Sequence, residues 1–273
     1  MSIASTARLR SADVLEATHE AGRPALIAYL PVGYPSLEHS IDAVRCLIDE
    51  GVDAIELGLP YSDPVMDGPV IQEAASTALA AGIRTRDLFT AVEAVAGRGA
   101  AILSMTYWNP VLATGVDTFA ARLAAAGGAG LITPDLIPDE AGDWIAASDR
   151  EGLDRIFLVA PSSPSDRLTY VVQHATGFVY AASTMGVTGT RASVSAATEG
   201  LVERTRSAGA RFVCVGLGVS TAEQAAEVGA YADGVIVGSA FVRTLLESEP
   251  GDLSALARTA RELRSGVDQA RGC

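Results

Sequence analysis

Glu56 stands near the end of a short apolar run, Ala-Ile-Glu-Leu-Gly at 54–58. Burying a carboxylate there without a partner costs several kcal/mol. Two readings fit. The glutamate is a structural group hydrogen-bonded to a tyrosine or a backbone amide, or it is an acid whose pKa desolvation has raised, able to carry a proton near neutral pH. The loop that follows, Pro60-Tyr-Ser-Asp-Pro-Val-Met-Asp-Gly-Pro69, adds Asp63 and Asp67. Aspartate before Pro or Gly is ordinarily turn chemistry. An acid on this loop and Glu56 on the strand end could nonetheless face one ligand from two sides, as reactions that remove one proton and deliver another require.

Glycine marks a second kind of chemistry. Gly216-Leu-Gly-Val-Ser220 and Gly238-Ser-Ala each follow an apolar run. Their amides, with the N-terminus of a following helix, suit a phosphate without any cationic side chain. An ordinary turn is the alternative for either segment alone. Ser183-Thr-Met-Gly-Val-Thr-Gly189 has the composition of a lid over a ligand, or of a plain glycine-rich loop. His19, His39 and His174 lie in or beside expected helices with no metal-ligand spacing, and Cys46, Cys214 and Cys273 form no C-x-x-C, so no metal site is expected.

All 20 basic residues are arginines; the chain has no lysine. Arginine cannot deprotonate to form a Schiff base. A lysine aldolase mechanism and an internal pyridoxal phosphate aldimine are therefore both excluded for this chain.

These residues need elements to position them. Runs rich in β-branched and aliphatic residues recur at 25–30, 53–58, 101–105, 130–133, 155–160, 178–182, 211–216 and 234–238. Most are continuously apolar, as strands covered on both faces should be. Between them lie Ala-rich stretches with helical spacing, for example 40–48, 118–126 and 222–228. Strand then helix, eight times, predicts an α/β fold, a (β/α)₈ TIM barrel, with extra N-terminal and C-terminal helices at 11–21 and 253–264. The alternative, an open doubly wound sheet, lacks a glycine-rich dinucleotide turn after its first strand. A single domain over 1–273 is expected: a helical extension at 1–24, the barrel at 25–246 and a C-terminal helix at 247–273. Pro and Gly cluster just after the strands, on the face where barrels build active sites.

The bulk composition narrows the partners. Of 273 residues, 49% are hydrophobic and 19% charged, which supports a large core and argues against disorder. The net charge of −13 disfavours nucleic acid and anionic membranes. No apolar run is long enough for a membrane helix. The start carries Arg8 and Arg10 without an apolar segment behind them, so no signal peptide is expected and a cytoplasmic location follows.

From about 25 to about 246 the sequence closely resembles tryptophan synthase α chains. The stretch from Glu56 to Pro69 matches the family signature E-L-G-x-P-[FY]-S-D-P-x-x-D-G-P throughout. Met105-Thr-Tyr-Trp-Asn-Pro110, Gly186-Val-Thr-Gly189 and Gly216-Leu-Gly218 follow in the family's order. The resemblance implies cleavage of indole-3-glycerol phosphate to indole and glyceraldehyde 3-phosphate, with Glu56 and Asp67 as the catalytic carboxylates. It places Tyr29, Ile71, Tyr107 and Tyr180 around the substrate, and the phosphate on Gly189, Gly218, Gly238 and Ser239. Thr188 would bond to Asp67 as the sixth-strand loop closes. Pro60, Asp63 and Asn109 would face a β subunit in an α2β2 tetramer, and that subunit alone would hold pyridoxal phosphate; no cofactor is implied for this chain. Two stretches depart from many family members: Pro31-Val-Gly-Tyr-Pro35 after the first strand, and Thr184 where arginine is common. Neighbouring barrel families fit less well. Phosphoribosylanthranilate isomerase needs a thiol at the end of the first strand, where this chain has Tyr29-Leu-Pro31, and indole-glycerol-phosphate synthase needs lysine.

Overall fold

The computed structural model describes residues 8–182, 191–216 and 218–270. Its strands are all parallel and share one sheet: β1 Ala25–Pro31, β2 Ala54–Gly58, β3 Ala101–Met105, β4 Gly130–Ile132, β5 Asp154–Ile156, β6 Leu158–Val159, β7 Val179–Ala182, β8 Val213–Gly216 and β9 Gly234–Val237. Their order is β5-β4-β3-β2-β1-β9-β8-β7-β6. Only Phe157 separates β5 from β6, so the two edges of the sheet meet on one stretch of chain. Thr133 N–H donates to Ile156 O at 3.4 Å on one side, and Tyr180 N–H to Phe157 O at 3.1 Å on the other. The sheet thereby closes into a barrel. The run expected at 155–160 is divided because its two neighbours are staggered, β4 pairing with the first half and β7 with the second. Such stagger is what tilting strands around a closed barrel demands.

The continuously apolar strands serve two cores. Leu26, Ala28 and Leu30 of β1, with Ile55, Leu57, Val235 and Val237, face outward into the layer covered by helices. Their neighbours Ala25, Ile27, Ala54, Leu103, Ile156, Cys214 and Ile236 fill the barrel interior. Helix Ser11–Glu20 plugs the lower mouth with Val14 and Leu15. It is anchored there by Asp154, which accepts from Ser11 N at 3.1 Å and Ser11 Oγ at 2.7 Å and pairs with Arg10. Among the described residues, the opposite, C-terminal mouth stays open.

Helices begin where the chain can cap them. The helix expected from 40 starts earlier, as Leu37–Asp49, because the Ser36 side chain accepts from His39 N. Thr221 does the same for Ala222–Gly229. The C-terminal helix Ser254–Gln269 buries Leu256, Ala260, Leu263 and Val267 at helical spacing. Its Arg264 bonds Asp53 at 2.9 Å, and Asp53 is also gripped by Arg23. Among the described residues, no helix is long and apolar enough to cross a membrane.

Candidate active site

The alternation of inward and outward side chains determines what reaches the open mouth. Ala54 faces inward, so two residues on Glu56 faces inward too, and in register beside it on β1 stands Tyr29. Glu56 is fully buried, and neither carboxylate oxygen has a hydrogen-bond partner among the described residues. This discards the structural reading of Glu56 as a group tied to a tyrosine or amide. Desolvation pushes its pKa up to about 8, so the side chain carries a proton at neutral pH.

Of the two loop aspartates only Asp67 joins this glutamate. Asp63 is exposed and accepts from the neighbouring Ser62 Oγ at 2.6 Å, away from the glutamate. Asp67 borders the same cavity as Glu56, a space of about 200 Å³ at the open mouth. Burial raises its pKa, opposed by a hydrogen bond from the Tyr107 hydroxyl at 3.4 Å.

The glycine segments reach the cavity as well. Gly218, with a left-handed φ of +58°, borders it together with Gly238 and Ser239. Ser239 opens helix Ser239–Glu247, whose first-turn amides have no partners within the helix. An anion here meets partial positive charge although no lysine exists.

Tyr29, Ile71 and Tyr180 line the cavity, whereas Tyr107 is buried and engaged with the loop instead. Thr188 and Gly189 lie outside the described residues, as does the rest of 183–190 with Thr184. At the rim, Asp63 and Asn109 are exposed, while Pro60 is buried within the chain. Met105, Leu158 and Ile236 also line the cavity, which sequence reasoning missed. The signal was available: each faces inward on its strand, as Glu56 and Tyr29 do. Among the described residues, no group of His, Cys, Asp or Glu is arranged to hold a metal ion.

Gly58 sets one wall. A Cβ added there would lie 2.2 Å from the Tyr29 hydroxyl oxygen and 2.5 Å from its ring. Gly58→Ala should therefore tilt the ring and lower stability by about 1–3 kcal/mol, the usual cost of overpacking. A melting temperature equal to the parent's would show that Tyr29 does not need this space.

Comparison with known proteins matches this geometry to a family. The model of the family described as tryptophan synthase alpha chain fits residues 15–270. The tryptophan synthase alpha chain of Bifidobacterium longum is 59% identical over 256 residues, covering 91% of this chain and 88% of that one. That of Mycobacterium avium is 55% identical over 269 residues, covering 98% of each. Among solved structures, a chain of Mycobacterium tuberculosis tryptophan synthase superposes with a TM-score of 0.89 at 52% identity, covering 95% of this chain and 98% of that one. A closed barrel with two carboxyls and a glycine-amide cradle on one cavity thus comes with sequence identity above half over nearly its whole length, and the chain belongs to the tryptophan synthase alpha chain family.

Proposed function

We propose that this cavity cleaves indole-3-glycerol phosphate into indole and glyceraldehyde 3-phosphate, with Glu56 and Asp67 moving the protons. The supporting observation is the contrast between two carboxyls on one cavity. Glu56 is sealed without a partner among the described residues and so protonated; Asp67 accepts a hydroxyl proton that favours its anion.

Glu56 gives its proton to the indole carbon bearing the glycerol chain while Asp67 accepts the ring N–H proton. The ring becomes an indolenine whose C=N bond is the electron sink. Glu56, now a carboxylate, takes the proton of the hydroxyl on the adjacent chain carbon. That carbon becomes the aldehyde as the carbon–carbon bond breaks. The released electron pair restores the ring double bond, and nitrogen regains its proton from Asp67. Both carboxyls end as they began, and no lysine imine is needed.

Tyr29, Ile71 and Tyr180 flank the indole, and the amides of Gly218, Gly238 and Ser239 hold the phosphate. Gly189 as a further phosphate contact and Thr188 as the residue closing on Asp67 rest on the family resemblance. The partner is a β subunit in an α2β2 assembly, which holds pyridoxal phosphate and receives the indole. Exposed apolar side chains support this: Val65 on the loop that carries Asp63, Leu112 on the helix Trp108–Thr114 that carries Asn109, and Ile137 on the segment after β4 are 77%, 54% and 46% exposed.

The test is indole release from indole-3-glycerol phosphate by the purified chain, alone and with a β subunit, across pH. kcat/KM should be bell-shaped. It falls at low pH as Asp67 gains a proton, and falls above about pH 8 as Glu56 loses the one it must deliver. A rate still rising through pH 9 would remove Glu56 as the acid, and no indole at any pH would remove the reaction.

A further inference from the structure

Tyr107 follows β3 and uses its hydroxyl to capacity. The oxygen accepts from Val65 N at 3.1 Å and Met66 N at 3.0 Å, and the proton is directed to Asp67 Oδ1 at 3.4 Å. A phenol has two acceptor sites and one donor. With both acceptor sites taken by amides, the proton is left pointing at the carboxylate. Among the described residues this is the one hydrogen bond to the Asp67 side chain.

The phenol itself is held firmly. Its ring lies against Tyr61, centroids 5.1 Å apart, and the next amide, Trp108 N, donates to both oxygens of Asp135 at 2.9 and 3.1 Å. From the far side of Asp67, Gln72 Nε2 donates to the main-chain oxygen at 2.7 Å. The side chain is 5% exposed and does not border the cavity.

We propose that Tyr107 is a positioning residue for Asp67: it clamps the two amides just before the aspartate, fixes the carboxylate at the cavity, and holds it in its proton-accepting form. This rests on the reading of Asp67 as the base. Burial drives Asp67 toward its acid form and the Tyr107 bond opposes that. Tyr29 of β1 also interacts with Asp67, and Glu56 of β2 shares the cavity. Both are uncharged in the acid range, well below pH 8, so there Asp67 is the member of this group that titrates.

The experiment is Tyr107→Phe in the full chain with its β subunit. kcat should fall roughly 10- to 100-fold, the worth of one hydrogen bond to a charged group, with KM little changed. The acid limb of kcat/KM should move to higher pH, because Asp67 has lost the bond that favours its anion. In an Asp67→Asn background the same substitution should cost nothing further. Wild-type kcat with an unmoved acid limb overturns the proposal. Equal losses in both backgrounds also overturn it, since the hydroxyl then acts on something other than Asp67. If Asp67→Asn alone retains near-full activity, the base assignment fails and Tyr107 falls with it; an inactive Asp67→Asn beside an unaffected Tyr107→Phe condemns the positioning role alone.

Discussion

Glu56→Gln should abolish indole release and at the same time make the folded chain more resistant to alkali. The catalytic half follows from the glutamate's double duty: it delivers a proton to the ring carbon and then, as a carboxylate, collects one from the glycerol hydroxyl. An amide does neither, and the loss should reach roughly 10⁴-fold, the upper range for one acid–base group. The stability half follows from burial. The ordinary glutamate value is 4.5, and in the folded chain it rises to about 8. Between those values the folded state keeps a proton that the unfolded state has lost, so stability falls as pH rises. Above about pH 8 the full effect is reached, a destabilisation of roughly 5 kcal/mol. Glutamine has the same shape and never ionises, so it escapes this effect. Melting curves of both proteins should nearly coincide at pH 5 and separate in favour of the variant by pH 9. Coincident curves at pH 9, or indole release within tenfold of the parent, would remove Glu56 from the role assigned to it.

This pairing of lost activity with gained stability explains why Glu56 was legible in the sequence. A carboxylate inside Ala-Ile-Glu-Leu-Gly conflicts with its surroundings, and such conflicts mark functional positions. Asp67 was less legible. It and Asp63 both precede a turn-forming residue, and only the fold, which leaves Asp63 outside with Ser62, separates them. The cavity walls were silent for a different reason. Met105, Leu158 and Ile236 are apolar residues in apolar strands, and inward and outward positions look alike when both faces are buried. Counting by twos from Glu56 along paired strands would have found them.

The strands were readable because parallel strands covered on both faces need uninterrupted apolar runs. The division of the fifth at Phe157 was not, since it depends on the offset between β4 and β7, which no local stretch records. Tyr107 shows the limit of resemblance. Family likeness puts it around the substrate, while its hydroxyl serves the loop that carries Asp67. What the likeness could not supply was the count of lone pairs.

Asp67→Asn should slow cleavage by about 10²- to 10⁴-fold while leaving both the fold and KM nearly unchanged. Asparagine keeps the shape of aspartate, and its carbonyl oxygen can still accept the Tyr107 proton, so the loop from Pro60 to Gly68 keeps its anchor. Tyr29, Ile71 and Tyr180 are untouched, so substrate binding should persist. What disappears is the base. Protonating the ring carbon while the nitrogen keeps its hydrogen leaves a cation whose charge sits on the nitrogen, with the Glu56 carboxylate at the ring carbon and no anion at the nitrogen itself, and a buried charge without a partner at hand is expensive to hold. The pH profile distinguishes this from a general loss of structure. The acid limb belongs to Asp67 and should vanish in the variant, whereas the limb near pH 8 belongs to Glu56 and should remain. An Asp67→Asn enzyme that keeps its acid limb at the parent's pH would mean that another group takes the ring proton. The contrast between a protonated glutamate and an ionised aspartate would then no longer account for the chemistry.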